Sequence, residues 1–195
     1  MLFSCEDSLD DIFHAIRHEL NRGALDSKHP FRFVSFATQG KEGPDVRYVV
    51  LRKIDKDFNF YFFTDARSTK VSQLMDDGNV VLLFYHPGKR TQIKVTGKAE
   101  IHIKNELSES FWSSVQGESK KTYNSVLAPG TIIPEPEKAY LWSAEMNDSH
   151  FCLIKFSPSQ VEGLQLNGLT HIRVQFKKAE IDDGNSEWSS VWLVP

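Results

Sequence analysis

From Phe31 onward, hydrophobic residues recur at every second position, and this period restricts the fold more than any other feature of the sequence. The first such segment runs from Phe31 to Phe36. A period of two is that of a β-strand that buries one face. The chain also has 14 phenylalanines among its 195 residues, and aromatic side chains are enriched in strands. The sequence therefore predicts a mainly β fold.

Further segments of the same kind follow along the chain, with turns between them. The predicted strands after the first cover residues 45–54, 58–64, 80–85, 92–103, 151–156, 160–166, 170–176 and 188–194. Helical periodicity appears at residues 7–22, where Arg22-Gly23 predicts the end, and again at 68–77 and 106–116. Residues 117–138 are polar and proline-containing and are predicted to form a surface loop. We expect a single domain over residues 1–195, a closed or nearly closed antiparallel barrel with helix 7–22 and segment 105–138 at its periphery.

Charge and cysteine content exclude several classes of protein. The net charge is −3 without long runs of either sign, which disfavours a nucleic-acid-binding protein. Cys5 and Cys152 do not form a disulfide or zinc pattern, and residues 1–11 do not resemble a secretory leader, so we expect a cytoplasmic protein without membrane association. His14 and His18 have metal-ligand spacing but no evident third ligand, and no metal site is expected.

The segment with the clearest chemistry is a strand that runs into a helix through a short polar loop. Phe63-Thr64 ends the strand, and Arg67-Ser68-Thr69-Lys70 begins the helix. Unpaired backbone N–H groups at a helix N-terminus favour an anion, and these side chains add donors. Arg47, on a neighbouring strand, offers a guanidinium suited to phosphate. The alternative is that Ser68 only caps the helix while the basic side chains are solvated.

In order, the motifs Arg-x-Val-x-Leu-Arg from Arg47, Phe-Phe-Thr-Asp-x-x-Ser-x-Lys from Phe62, Leu-Phe-Tyr-x-Pro from Leu83 and Gln-Ile at Gln92 resemble the flavin-binding core of the pyridoxamine 5'-phosphate oxidase family. The resemblance implies an FMN-binding split barrel of Greek-key antiparallel topology, and a homodimer with the flavin site at the subunit interface. It also implies that the cofactor contacts Arg47, Val49, Val50, Leu51, Arg52, Phe63, Thr64, Ser68, Lys70 and Gln92.

The sequence departs from the family pattern at the phosphate motif. The family has Ser-Arg-Lys where this chain has Ser68-Thr69-Lys70. Arg67, two residues before the missing arginine, and the hydroxyl of Thr69 are the candidate replacements. Which of these two residues takes the place of the arginine is left open.

The sequence departs further from the family pattern at the positions that bind substrate in the family. The family lysine beside flavin and substrate corresponds to Arg52, which we take as the candidate catalytic residue. The tyrosine, arginine and serine that hold the substrate phosphate in the family align with Phe111, about Val115, and Ser119. Near the C-terminus, His171 and Arg173 occur in the reverse of the family order. Ser119, His171 and Arg173 are the candidate substrate residues, and a solvated strand is the alternative for the last two.

Two functions follow from the resemblance. One is a flavin-dependent oxidoreductase that acts on a small molecule, in which FMN supplies the redox chemistry and the protein supplies binding and electrostatics. The other is a non-catalytic module that binds FMN or another cofactor for storage or sensing. Proteins of one fold differ in their ligands, so the fold does not choose between them.

Overall fold

The period-two segments form one antiparallel sheet in the computed structural model, which describes residues 1–180 and 186–195. The strands are β1 (Phe33–Gly40), β2 (Gly43–Val50), β3 (Lys53–Ile54), β4 (Phe60–Asp65), β5 (Asn79–His86), β6 (Thr91–His102), β7 (Phe151–Gln165), β8 (Ile172–Glu180) and β9 (Ser186–Leu193). The helices are α1 (Leu9–Leu25), α2 (Thr69–Asp76) and α3 (Glu106–Trp112). Within the described residues, no helix is both long and apolar enough to cross a membrane.

The order of the strands shows that the sheet closes on itself. The order is β2-β1-β5-β6-β7-β4-β3, with β8 and β9 continuing from β7. The two end strands, β2 and β3, are separated in the chain only by Leu51 and Arg52, so the two edges of the sheet lie side by side. The backbone N–H of Arg52 donates to the carbonyl of Tyr61 at 2.9 Å, where β3 joins β4. The prediction of a mainly antiparallel barrel with peripheral helices is confirmed.

Phenylalanine fills the barrel. Among the largest fully buried side chains, those of this type are Phe31, Phe36, Phe58, Phe60, Phe62, Phe84, Phe151, Phe156 and Phe176. Several meet edge to face, such as Phe36 on Phe62 with ring centroids 5.4 Å apart. Ile12, Ile16 and Leu20 of α1 are completely buried and cover one end of this core.

Some predicted boundaries were wrong, for identifiable reasons. Helix α1 continues through Gly23 to Leu25, because Gly23 packs against Phe31: a Cβ at residue 23 would lie 2.7 Å from the Cβ of Phe31. This glycine is a site of close packing rather than a helix stop. The predicted strand 45–54 is divided at Leu51-Arg52 into β2 and β3, where the chain passes from one edge of the sheet to the other.

The two strands predicted at 151–156 and 160–166 form a single strand, β7. Pro158 lies between the two predicted strands, at an irregularity in the pairing of β6 with β7, next to Gly97. A Cβ at Gly97 would lie 2.2 Å from the carbonyl oxygen of Ser157, so only glycine fits there. The bulge therefore accommodates the proline without ending the strand.

Candidate functional site

A cavity of about 320 Å³ lies where β2 leaves the barrel, between β2, β4 and the segment after α3. Its lining is Arg47, Tyr48, Val49, Val50, Arg52, Phe63, Thr64, Asp65, Lys70, Thr122, Tyr123 and Pro129. Seven of the residues predicted from the sequence to contact a cofactor are in this set: Arg47, Val49, Val50, Arg52, Phe63, Thr64 and Lys70. The structure thus brings together residues separated by more than twenty positions in the chain.

At one end of the cavity, two hydroxyl groups hold the ammonium of Lys70. Its Nζ donates to Thr64 Oγ1 at 2.9 Å and to Ser68 Oγ at 3.2 Å. Ser68 occupies the N-cap position of α2, but its side chain makes no capping bond and donates to the carbonyl of Asp65 instead, at 2.8 Å. The alternative of a simple helix cap is therefore not what the structure shows. Burial lowers the pKa of Lys70, and the positive charge of Arg47 lowers it further.

Arg47 reaches the same end of the cavity from β2. Its guanidinium forms an ion pair with Asp45 and donates to Thr38 Oγ1, and it donates to Gln73 Oε1 at 3.0 Å. Gln73 in turn donates to Asp45 at 3.0 Å. The guanidinium is therefore fixed in position before any ligand arrives, which reduces the entropy lost on binding.

The guanidinium of Arg67 is directed away from Lys70. It contacts the buried carboxylate of Asp65 through Nε at 3.0 Å and through NH2 at 2.7 Å, and these hydrogen bonds raise the pKa of Arg67. It also donates to the carbonyls of Ser125 at 2.8 Å and Val126 at 3.3 Å. Arg67 as a phosphate ligand stays a prediction, and its contacts give it a second role: it holds the segment after α3 in place.

Five of the predicted cofactor residues lie outside the cavity lining: Ser68 and Arg67, described above, and Leu51, Thr69 and Gln92. Leu51 is fully buried in the core. Thr69 lines a larger cavity of about 790 Å³ below the β1–β2 turn. That cavity also presents Glu42, Asp45, Asp76 and Asp77, whose charge opposes an anion. Gln92 lies on the outer face of β6, opposite Tyr85 of β5.

The predicted substrate residues are also apart from this cavity. Ser119 is exposed in a short 3₁₀ helix. His171 and Arg173 line a separate cavity of about 270 Å³, together with Cys5. There the guanidinium of Arg173 binds Glu162, with NH2 to Oε1 at 2.8 Å, and Lys94 binds the other carboxylate oxygen at 3.1 Å.

One wall of the cavity is formed by residues 117–146, a segment that we call the strap. Residues 117–138 of it were predicted to be a surface loop, but Thr122, Tyr123 and Pro129 line the cavity, and Tyr123 is only 4% exposed. Asn124 holds the strap from within, since its side chain bonds both the backbone N–H and the carbonyl of Asn147. The prolines and polar residues of the strap gave no periodic signal. A lone tyrosine between polar residues was the only hint.

A second charged cluster, which we call the Glu19 cluster, consists of Glu19, His29, His86 and Lys89. The carboxylate of Glu19 accepts from Lys89 at 2.7 Å and from Nε2 of His29 at 2.9 Å, and it lies 3.5 Å from Nε2 of His86. Burial would raise the pKa of Glu19, but hydrogen bonds from Lys89 and His29 outweigh this and lower it to about 2.

The geometry of the Glu19 cluster does not suit a metal ion. Nδ1 of His29 accepts from the backbone N–H of Phe31 at 3.1 Å, and Nδ1 of His86 accepts from that of Lys89 at 3.1 Å. Each neutral ring therefore carries its proton on Nε2, the atom that points at the carboxylate, and a protonated nitrogen is not a ligand. We interpret the cluster as structural, because it joins α1 to the β5–β6 turn.

The outer face of β1, β2 and β5 is apolar. Register places Ser35 beside both Tyr48 and Leu83, so the side chains at alternate positions share this surface. Its exposed apolar and aromatic residues are Phe33, Val46, Tyr48, Val81, Leu83 and Tyr85. We call it the outer apolar face. It reaches the cavity, because Tyr48 belongs to both.

Comparison with known proteins identifies relatives of this chain. Residues 12–103 match the family model described as pyridoxamine 5'-phosphate oxidase, FMN-binding domain. A pyridoxine/pyridoxamine 5'-phosphate oxidase of Agrobacterium fabrum is 24% identical over 173 residues, which cover 83% of this chain and 82% of that protein. A relative from Caenorhabditis elegans is 35% identical over 81 residues, 42% of this chain and only 35% of the relative.

Solved structures show the same fold. A pyridoxamine 5'-phosphate oxidase-related, FMN-binding protein of Nostoc punctiforme superposes with a TM-score of 0.77 at 24% identity, over 97% of this chain and all of the other. The superposition includes the strap and the C-terminal strands, which lie beyond the matched residues 12–103. The resemblance inferred from the motifs is therefore confirmed.

Proposed function

Since this chain belongs, through residues 12–103, to the pyridoxamine 5'-phosphate oxidase family, we propose that it binds FMN in the cavity between β2, β4 and the strap. We further propose that it is an FMN-dependent oxidoreductase acting on a small molecule. An intracellular, cytoplasmic setting belongs to the same proposal, and the unpaired state of Cys5 and Cys152 supports it.

The observation that carries the proposal is the environment of Lys70. Its half-buried ammonium is held by two neutral hydroxyls, and the charged guanidinium of Arg47 is close enough to lower its pKa. Among the described residues, no carboxylate lies within ion-pair distance of Lys70. Arg47 is already paired with Asp45, so the Lys70 ammonium beside it, which has only hydroxyl partners, is the group that favours a bound anion. A phosphate monoester has the charge and the acceptor oxygens for this position.

The rest of the cavity suits a flat ring system. Val49, Val50 and Phe63 provide an apolar wall along β2 and β4. Arg52 lies at the far end, with its guanidinium carbon 5.3 Å from the ring centre of Phe63. The bound flavin would supply the redox chemistry, by accepting a hydride equivalent from the substrate. Arg52 would place a positive charge beside the ring, which stabilises negative charge that develops there.

A homodimer with the cofactor at the subunit interface is part of the proposal. The outer apolar face supports it, because exposed apolar patches of this kind mark protein interfaces. Gln92 shares that outer surface and cannot join its own cavity, so a second copy would supply it; we extend this to His171 and Arg173. Analytical ultracentrifugation should give twice the chain mass of 22.3 kDa, and a concentration-independent monomer would contradict the dimer.

The non-catalytic alternative is favoured by one observation, the apolar packing near the predicted substrate positions. Phe111 stacks on Tyr61 with centroids 5.0 Å apart, and Val115 is buried in the same cluster. Neither side chain can hold a phosphate. A protein that binds FMN and whose flavin no small molecule reduces would be this alternative.

The test begins with the protein as purified, without added cofactor. Its visible spectrum should show flavin bands, and mass spectrometry of the released ligand should identify FMN. A colourless protein that does not bind added FMN would overturn the proposal. Anaerobic bleaching of the bound flavin by pyridoxamine 5'-phosphate, followed by peroxide release in air, would identify an oxidase of that substrate.

A further inference from the structure

Gln73 connects the two elements that carry the cations of the proposed phosphate site, a part of the cavity that we call the phosphate end. Lys70 and Gln73 are three residues apart on α2, so their side chains lie on the same side of the helix. Arg47 lies on β2, and among the described residues no other side chain of α2 bonds it. The relative position of the two cations therefore depends on one amide.

The amide of Gln73 uses both its oxygen and its nitrogen. Oε1 accepts from NH2 of Arg47 at 3.0 Å and from Oγ1 of Thr38 at 2.7 Å. Nε2 donates to Asp45 at 3.0 Å. A reversed amide would set donor against donor at Arg47 and acceptor against acceptor at Asp45. Thr38 is only 4% exposed and also accepts from Arg47, so the guanidinium is held from β1 and from α2.

The phosphate end needs such a restraint because its two cations repel each other. The positive charge of Arg47 contributes to the lowered pKa of Lys70. Without a restraint, the guanidinium would turn from the ammonium towards Asp45, which pairs with it and is 46% exposed beside the larger cavity. Gln73 opposes this movement because it bonds both groups. When a phosphate takes the place of Asp45 at the guanidinium, the amide still holds Arg47 and still provides the carboxylate with a donor.

We propose that Gln73 is a positioning residue for the phosphate of FMN, and that it sets the preference of the site for FMN over riboflavin. The proposal rests on the proposed function, because it requires a flavin in this cavity. Gln73 does not line the cavity, so it acts through Arg47 rather than on the ligand. Its contribution should therefore appear only with a flavin that carries a phosphate.

The experiment compares FMN with riboflavin, two flavins that differ only in the phosphate. Each is titrated into cofactor-free protein, and the dissociation constant is measured by quenching of flavin fluorescence. The variant Gln73→Met keeps an unbranched side chain with good helix propensity. We expect its constant for FMN to rise about three- to tenfold, the effect of one lost hydrogen bond. The constant for riboflavin should change by less than about twofold.

A double-mutant cycle tests whether Gln73 acts through Arg47. In an Arg47→Met background, Gln73→Met should have no further effect on the FMN constant, because the group that it positions is gone. Gln39→Met is the matched control. Gln39 borders the same larger cavity as Gln73, but its amide donates to the carbonyl of Gly40. This control should bind both flavins like the unmodified protein.

Three results with Gln73→Met would overturn the inference. They are an unchanged FMN constant, equal losses for FMN and riboflavin, which indicate a purely structural role, and a further loss of FMN affinity in the Arg47→Met background. If Gln73→Met does not fold, Thr38→Val decides, because it removes the other side chain that bonds both Arg47 and Gln73. It should weaken FMN and not riboflavin, and equal losses for both would overturn the inference.

Failure of the inference is distinguishable from failure of the proposed function. An unmodified protein that binds neither flavin overturns the proposed function itself. An unmodified protein that binds FMN and riboflavin equally keeps the flavin site but has no phosphate end, and only the inference about Gln73 is then overturned.

Discussion

The Glu19 cluster and the Lys70 cluster, which consists of Lys70, Thr64 and Ser68, both place charge inside the protein. They differ in whether groups of opposite charge surround it. The Glu19 carboxylate is surrounded by Lys89, His29 and His86, and its pKa falls to about 2 because these donors favour its charged form. The Lys70 ammonium has only hydroxyls as acceptors, and the pKa of Lys70 is lowered because the site disfavours its charge. A compensated cluster stabilises the fold. An uncompensated one marks a place for a ligand of opposite charge.

Removal of the Lys70 charge should have the largest effect on cofactor binding. Lys70→Met removes a charge-assisted hydrogen bond to the phosphate, which contributes about 1.5–3 kcal/mol. The FMN dissociation constant should therefore rise about 10- to 150-fold, as measured by quenching of flavin fluorescence on binding. Stability without cofactor should not fall, because the buried charge has no anionic partner to lose. Lys98→Met, at an exposed residue of β6, is the control, and equal losses in both variants would contradict this assignment.

Removal of the Glu19 charge should have the reverse effect. Glu19→Gln leaves the surrounding donors without a charged acceptor and should lower the free energy of unfolding by about 1.5–3 kcal/mol in urea titrations. FMN content should not change. Glu100→Gln, at a 60% exposed carboxylate, should change the same free energy by about 0.5 kcal/mol or less. Equal stability of the two variants would show that the Glu19 carboxylate does not stabilise the fold.

The contribution of the Glu19 cluster to stability should depend on pH in the acid range. Because the pKa of Glu19 lies below its ordinary value of 4.5, its contribution is complete above pH 4.5 and is lost as the pH falls from 4.5 towards 2. The urea midpoint of the unmodified protein should fall more steeply over this range than that of Glu19→Gln. Parallel curves would show that the carboxylate is not compensated as described.

The FMN affinity should depend on alkaline pH through Lys70. Its pKa is lowered from 10.5 by burial and by Arg47, so the ammonium loses its proton at a lower pH than a free lysine does. Affinity should fall by about tenfold across this ionisation, while Lys70→Arg should keep its affinity to higher pH. The neighbouring Cys152 thiol does not interfere, since burial raises its pKa to about 12. An affinity that is flat to pH 10 would contradict the role of Lys70.

The smallest effect is expected at Arg67. Arg67→Lys keeps a charge beside Asp65 but shortens the reach to the carbonyls of Ser125 and Val126. We expect a loss of about 1 kcal/mol or less in global stability, together with several-fold faster cleavage of the strap by chymotrypsin. Arg90→Lys, at an exposed residue between β5 and β6, is the control. An unchanged cleavage rate would show that Arg67 does not hold the strap.

The parts of the site that the sequence predicted are those carried by regular elements. Arg47, Thr64, Ser68 and Lys70 lie on strands or at the start of a helix, where local periodicity and motif order place side chains. Tyr123 lies in a segment without periodicity, and its position depends on Arg67 and Asn124, contacts that span many residues. The end of α1 was misplaced for a related reason, since whether Gly23 ends the helix is decided by its distance from Phe31.

The turn from Asp65 to Ser68 belongs to both ends of the cavity at once. Ser68 holds Lys70 at the phosphate end, while Asp65, through Arg67, fixes the strap that carries Tyr123. A ligand that tightens this turn from either side therefore alters the free energy of the other side. Thermodynamic linkage makes this coupling reciprocal. The factor by which bound cofactor changes the affinity for substrate equals the factor by which bound substrate changes the affinity for cofactor. With favourable coupling, a protein of this design would hold FMN less tightly when no substrate is bound.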